Sequence, residues 1–289
     1  MMNVNQEEYK ITIKPKSGWF ELHLGEVFQY RDLIFLFVKR NFVAQYKQTI
    51  LGPVWAIIQP LMTTFVFTFI FGNIAGLADC GQVPSFLFYM CGNITWGYFA
   101  GCLTGTANTF VSNSGIMGKV YFPRLVMPIS IVITQFISFA IQFTMFLVLT
   151  IIFYFNPNYV LHPNFYIVMF PLFVFQMAML GLGFGIIVSA LTTKYRDLAM
   201  LVSFGVQLWM YLTPVAYSLS IFKNSFLYKL IMINPMTPII ESMRFSFLGS
   251  EAGVFNLQYY GVSWGITCLI LCIGILLFSK VEKSFMDTI

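Results

Sequence analysis

The chain has 289 residues, of which 58% are hydrophobic and only 9% charged, with a formal net charge of +5 and a mean hydropathy of +0.78. Soluble domains carry nearer a quarter charged residues, so the composition excludes an ordinary water-soluble enzyme or binding module. The positive charges fall in separated clusters along an apolar chain, which argues against a nucleic-acid surface and makes their placement the informative feature.

The first 16 residues, MMNVNQEEYKITIKPK, are polar and lack the apolar centre of a secretory signal, so a cytoplasmic N-terminus is expected. Residues 1–52 read as a cytoplasmic arm. Between Val27 and Gln48 there is no Pro or Gly, and Val27, Tyr30, Ile34 and Phe37 recur at helical spacing with Arg31, Lys39, Arg40 and Lys47 elsewhere. That pattern predicts an amphipathic helix along the membrane surface. Gly52-Pro53 ends it, and Pro suits the first turn of the helix that follows.

Long stretches without Asp, Glu, Lys or Arg then predict an all-α protein with six transmembrane helices, over about 53–75, 84–107, 125–155, 165–192, 198–219 and 258–279. About 20 apolar residues suffice to cross a bilayer, and these runs lack the two-residue alternation of barrel strands. Lys and Arg number seven in the arm and two each in the second-to-third loop, the fourth-to-fifth loop and the tail, against three in the outer loops. Positive charge stays inside, so both termini are expected in the cytoplasm. The 108–124 loop is then cytoplasmic. In the outer 220–257 connection, LYKLIMI and PIIESMRFSFLG are too short to span and are split by Asn234-Pro235, which predicts a re-entrant helical hairpin or an amphipathic loop packed on the bundle.

Several chemistries are absent from this pattern. The spans hold no Asp, Glu, Lys, Arg or His, whereas gradient-driven pumps generally need such groups. A P-loop GxxxxGK[ST] is missing; GIMGKV, Gly115 to Val120, has the wrong spacing. Four of the five cysteines sit in apolar runs without a CxxC pair, which suits helix packing better than metal binding. No catalytic, cofactor or metal residues are therefore assigned, and any ATP and magnesium must be bound by another polypeptide.

What the spans do hold is amides and aromatic rings. Channel candidates are Trp55 and Gln59 in the first span, Tyr89, Asn93, Trp96 and Phe99 in the second, and Gln207 and Trp209 in the fifth; Gln135, Gln142 and Gln176 are further intramembrane amides. Such groups either bond across helices or line a path for a sugar polymer, with flat faces for pyranose rings and neutral partners for hydroxyls.

Motifs in order along the chain decide for a family. YRDLI (Tyr30 to Ile34), QYKQTILGPVWAIIQPL (Gln45 to Leu61), FIFG (Phe69 to Gly72), KVYFPRLVMPIS (Lys119 to Ser130), KYRD (Lys194 to Asp197) and NPMTPIIESMR (Asn234 to Arg244) resemble the membrane subunit of ABC transporters that export O-antigen, capsule or teichoic-acid polysaccharide. The resemblance implies a homodimer with the channel between copies, two copies of a separate ATPase, and a lipid-linked polysaccharide moved across a bacterial inner membrane. It also implies ATPase coupling through Arg31 and Arg40 of the arm, through Ser112, Lys119, Tyr121 and Arg124 of the 108–124 loop, and through Lys194 and Arg196. Export of a small hydrophobic compound, or a channel or scaffold without an ATPase, are the alternatives.

Overall fold

The structure is a computed structural model that describes residues 24–47, 49–78, 80–109, 112–113, 115, 122–192, 198–222 and 225–284. These residues form helices and connecting turns, with no strand among them. In chain order the helices are α1 (Leu24–Gln29), α2 (Arg31–Tyr46), α3 (Trp55–Phe67), α4 (Ser85–Ala107), α5 (Val126–Tyr154), α6 (Phe170–Thr192), α7 (Leu198–Leu212), α8 (Phe226–Ile233), α9 (Met236–Leu248) and α10 (Leu257–Ser284). A π-helical extension, Thr68–Ile74, prolongs α3, and a 3₁₀ turn, Phe165–Met169, leads into α6.

Four helical runs among the described residues are long and apolar enough to cross a membrane: Gly52–Ile74, Val126–Tyr154, Phe165–Thr192 and Leu257–Phe278. They coincide with the expected first, third, fourth and sixth spans. The expected second span is α4, with 23 residues, whose apolar sequence is interrupted by Gly, Thr and Asn.

The expected fifth span, 198–219, is shortened. Helix α7 stops at Leu212 after 15 residues, a rise of about 22 Å against a hydrocarbon core of ~30 Å. Thr213 precedes Pro214, and the residue before a proline is driven out of the helical region. Residues 213–216 continue as buried, non-helical backbone, which is tolerated at membrane depth only inside protein.

The arm is not one helix over Val27–Gln48; it divides at Tyr30 into α1 and α2. Its expected apolar face faces protein. Val27 and Phe37 are buried against Phe122, Val126, Met127, Ile186 and Phe278, with Tyr30 and Ile34 partly buried beside them. Phe28, Phe35 and Leu36 are exposed.

Helix α6 packs along both α4 and α10, and small residues make this possible. A Cβ on Gly181 would come within 2.6 Å of the Cys102 Cβ, one on Gly185 would collide with Thr106, and one on Gly274 would lie 2.8 Å from the Gly183 carbonyl oxygen. Backbones that approach this closely gain dispersion contacts that larger side chains would block, a common basis of helix association in lipid.

The described part of the 220–257 connection is more deeply built in than an interfacial loop. Helix α9 is almost wholly buried, while Phe226, Leu227, Leu230 and Ile233 of α8 are exposed. The turn between them, Asn234-Pro235, is fastened to the end of α7 and to α10, which α6 holds in turn. The Asn234 amide donates to Thr213 Oγ1 at 2.8 Å, Ser263 Oγ donates to the Pro235 carbonyl at 2.7 Å, and the Gln176 amide donates to Ser263 Oγ at 2.8 Å. At the other end of α9, the unpaired carbonyls of Phe245, Ser246 and Leu248 accept from Asn164 and His162, as helix ends without water require.

Arg244 of α9 lies at the centre of this region and is fully buried. Its Nη1 donates to the Pro214 carbonyl at 2.6 Å, its Nη2 to Val215 at 3.0 Å and its Nε to Phe88 at 3.3 Å. The guanidinium lies 3.6 Å from the Phe88 ring centroid and 3.3 Å from Glu241 Oε1. Gly92 leaves the room it needs, since a Cβ there would stand 2.6 Å from Nη2. Glu241 is held in turn by the Val254 N–H at 3.1 Å; burial raises its carboxyl above the ordinary range, against the pull of Arg244 and of that N–H. Removing one member of a buried pair strands the other charge, so Arg244→Ala is expected to cost about 3–5 kcal/mol. Arg244→Lys will not restore this, because an ammonium lacks the planar fork that reaches three carbonyls. Thermal unfolding in detergent measures both.

Candidate functional site: an uncharged cavity between the arm and the spans

Four faces converge on one cavity of about 490 Å³, within the range of small-molecule sites. Helix α3 contributes Trp55, Gln59 and Thr63, spaced four residues apart and so on one face. Helix α4 contributes Asn93, Trp96 and Gly97, and α5 contributes Gln135, Ser138, Phe139 and Gln142, again at one-face spacing. The end of α2 closes the space with Gln45 and Tyr46, and Met210 of α7 touches it. Pro60 also lines the cavity from inside α3. A proline there has no N–H to give the carbonyl four residues back, which loosens that turn.

Among the described residues the lining contains no Asp, Glu, Lys, Arg or His. Its chemistry is that of amides, hydroxyls and rings. Asn93 donates to Thr64 Oγ1 at 3.5 Å, and the Tyr46 and Ser138 hydroxyls pair at 3.4 Å, joining the arm to α5. Nothing here forms a nucleophile with a base. The arrangement can hold a neutral, hydroxylated ligand by hydrogen bonds and by stacking.

The eight channel candidates divide. Trp55, Gln59, Asn93 and Trp96 come together in the cavity. Phe99 and Trp209 pack instead behind Trp96, with Trp96–Trp209 centroids at 6.0 Å and Phe99–Trp209 at 5.3 Å, so they brace its ring. Phe99 is fully buried. Tyr89 is also fully buried, between Phe67, Phe88 and the close backbone of Gly72. Gln207 lies on the exposed face of α7, outside the cavity.

Gln45, Tyr46, Thr63 and Ser138 were not among the expected site residues. Ser138 carried a signal, standing three residues after Gln135 and four before Gln142. Gln45 and Tyr46 had none, because only the fold brings the end of the arm against α3 and α5.

Among the coupling candidates, Arg40 Nη2 donates to Asn113 Oδ1 at 2.9 Å, which ties α2 to the segment after α4, and its guanidinium carbon lies 4.8 Å from the Phe37 ring centroid. Ser112 is exposed, Arg124 is half-buried, and Arg31 is exposed with Asp32 at 4.0 Å. Lys119, Tyr121, Lys194 and Arg196 lie outside the described residues.

The family described as ABC-2 type transporter matches residues 32–248. A Klebsiella pneumoniae protein named O-antigen export system permease protein RfbA is 26% identical over 266 residues, covering 92% of this chain and 96% of that protein. A Myxococcus xanthus protein of the same name is 29% identical over 221 residues, covering 76% and 81%.

The placements can be checked by thiol labelling, since a buried thiol is protected from reagent. In a background without native cysteines, Gln59→Cys and Thr63→Cys are expected to react with N-ethylmaleimide about tenfold or more faster than Tyr89→Cys and Phe99→Cys.

Proposed function

The chain belongs to the ABC-2 type transporter family, and on that premise we propose that it is the permease of an ATP-driven exporter of lipid-linked polysaccharide across the bacterial inner membrane. The observation that carries this reading is the cavity, whose described lining has aromatic faces and amides but no charged side chain. Sugar hydroxyls pair with amides at no cost in net charge, and pyranose faces stack on rings. The names of the relatives, each an O-antigen export permease, point the same way.

The work comes from elsewhere. Nothing in the sequence matches a P-loop, and membership of the family implies a separate ATP-binding partner. The proposed topology has six crossings, α4 and α7 completing the four long apolar runs, with α8 and α9 as a re-entrant hairpin on the outer side. Two copies enclose the channel, presenting the exposed faces of α3 and α7, which carry Met62, Phe65 and Phe69 and Met200, Phe204 and Leu208, with Gln207 among them.

In this reading the arm and the 108–124 loop receive the ATPase together, because Arg40 and Asn113 join them. Closure of the ATPases then moves a linked pair of elements, and short helices pass on such motion as rigid pieces.

Two measurements test the proposal. Purified with its co-encoded ATPase, the permease should form a stable complex whose hydrolysis rate differs from that of the ATPase alone; a chain that never retains such a partner would refute the reading. Within that complex, Arg40→Glu and Arg124→Glu are expected to lower export about tenfold at unchanged membrane insertion, by placing like charge or an unpaired group at the contact. Undiminished export would remove these residues from coupling.

A further inference from the structure

We propose that the cavity is a binding site within a single protomer for a short, uncharged stretch of glycan, and that Gln135 and Gln142 of α5 set its preference for neutral over acidic sugars. This rests on the export reading above and adds to it a place and a selectivity.

The three intramembrane glutamines of α5 and α6 make the argument by contrast. Gln176 is fully buried and its amide nitrogen is engaged by Ser263 at 2.8 Å and Thr267 at 3.4 Å. That is helix-to-helix bonding. Gln135 and Gln142 are half-buried, line the cavity, and have no side-chain hydrogen-bond partner among the described residues. Seven residues apart, they lie on the same face of α5 with Ser138 between them. Two unengaged amides on one face, opposite Gln59 and Asn93, offer donors and acceptors together to a ligand with several hydroxyls.

Charge decides the class of sugar. A carboxylate or phosphate entering this half-open space would lose part of its hydration and meet no Lys, Arg or His among the described lining residues; an ion desolvated without a counter-charge is disfavoured. Lys47, near the end of the arm, is exposed and is not part of the wall. A neutral hydroxyl suffers no such penalty. Trp55 offers the exposed ring of the lining, and Trp96, nearly buried and braced by Phe99 at 5.2 Å and Trp209 at 6.0 Å, adds a rigid part of the wall; rigidity lowers the ordering cost of binding. The Tyr46–Ser138 hydroxyl pair stands where the arm closes the site, so a ligand is held only while α2 is docked.

The test uses the whole exporter in cells that make its own glycan. Benzoylphenylalanine is introduced at Gln142 and, in separate strains, at Gln135, at Val148 on an exposed part of α5 outside the cavity, and at Gln207. After irradiation, purified permease is scored for an adduct that periodate removes, as it cleaves sugar diols, and the captured fragment is weighed by mass spectrometry. Adducts at Gln142 and Gln135, about tenfold above Val148 and free of uronic acid or phosphate, are expected. An adduct at Gln207 with none at Gln135 or Gln142 overturns the cavity site while leaving export in place. Acidic sugar captured in the cavity overturns the selectivity, and a periodate-resistant lipid adduct there overturns the glycan assignment. No glycan at any position, Gln207 included, overturns the export reading itself. As a second readout, Gln142→Glu should lower export about tenfold more than Gln142→Met, because Glu places an uncompensated charge in the wall whereas Met only removes the amide. Equal losses would count against charge as the discriminating factor.

Discussion

A guanidinium sealed among carbonyls is the interaction on which the packing of α9 against α4 and the end of α7 depends. Thr213-Pro214 stops α7 short, which leaves backbone carbonyls open where water is excluded. Arg244 fills that need, donating to Pro214, Val215 and Phe88, with its charge offset by Glu241 and the Phe88 ring. One side chain therefore joins the end of α7, the first turn of α4 and the hairpin helix α9. Gly92 is the complementary requirement on α4. The Asn234-Pro235 turn adds bonds to Thr213 and Ser263, so the hairpin and the end of α7 are tied at both ends of α9.

This concentration of charge in a structural role has a counterpart at the cavity. The described spans hold their polar groups as amides and hydroxyls, and the described wall of the space between the arm, α3, α4 and α5 carries no charge. A neutral surface can release as well as bind a polyhydroxylated chain, because no strong ionic contact must be broken at each step. Among the described residues the cavity wall carries no acidic or basic side chain that could couple movement to an ion gradient. In the proposed export reading, ion-free binding and borrowed energy follow from one charge distribution.

Much of this was legible in the sequence. Charge-free runs located the four long apolar crossings closely, because burial in lipid imposes a composition on every residue of a span. Gln59, Trp55, Asn93 and Trp96 were recognisable as polar or aromatic groups in apolar surroundings. What escaped was of a different kind. Arg244 read as one more outer positive charge, since its partners are carbonyls 29 and 156 residues away that no local pattern reveals. Tyr89 and Phe99 share the residue types and helix of Trp96, yet side-chain direction on α4 sends them into packing. The arm's apolar face was readable by spacing, whereas its docking on α5 and the break at Tyr30 depend on tertiary contacts. Tyr46 enters the site only because that docking occurs.

The central claim is that this chain provides an uncharged passage and takes its work from hydrolysis by a neighbour. It is tested most directly by following the cell's own lipid-linked glycan across proteoliposome membranes, first with a proton or sodium gradient alone and then with the co-purified ATPase and ATP. The account predicts no movement under either gradient and net movement when ATP is hydrolysed. Glycan crossing under a gradient in the absence of the ATPase would contradict it.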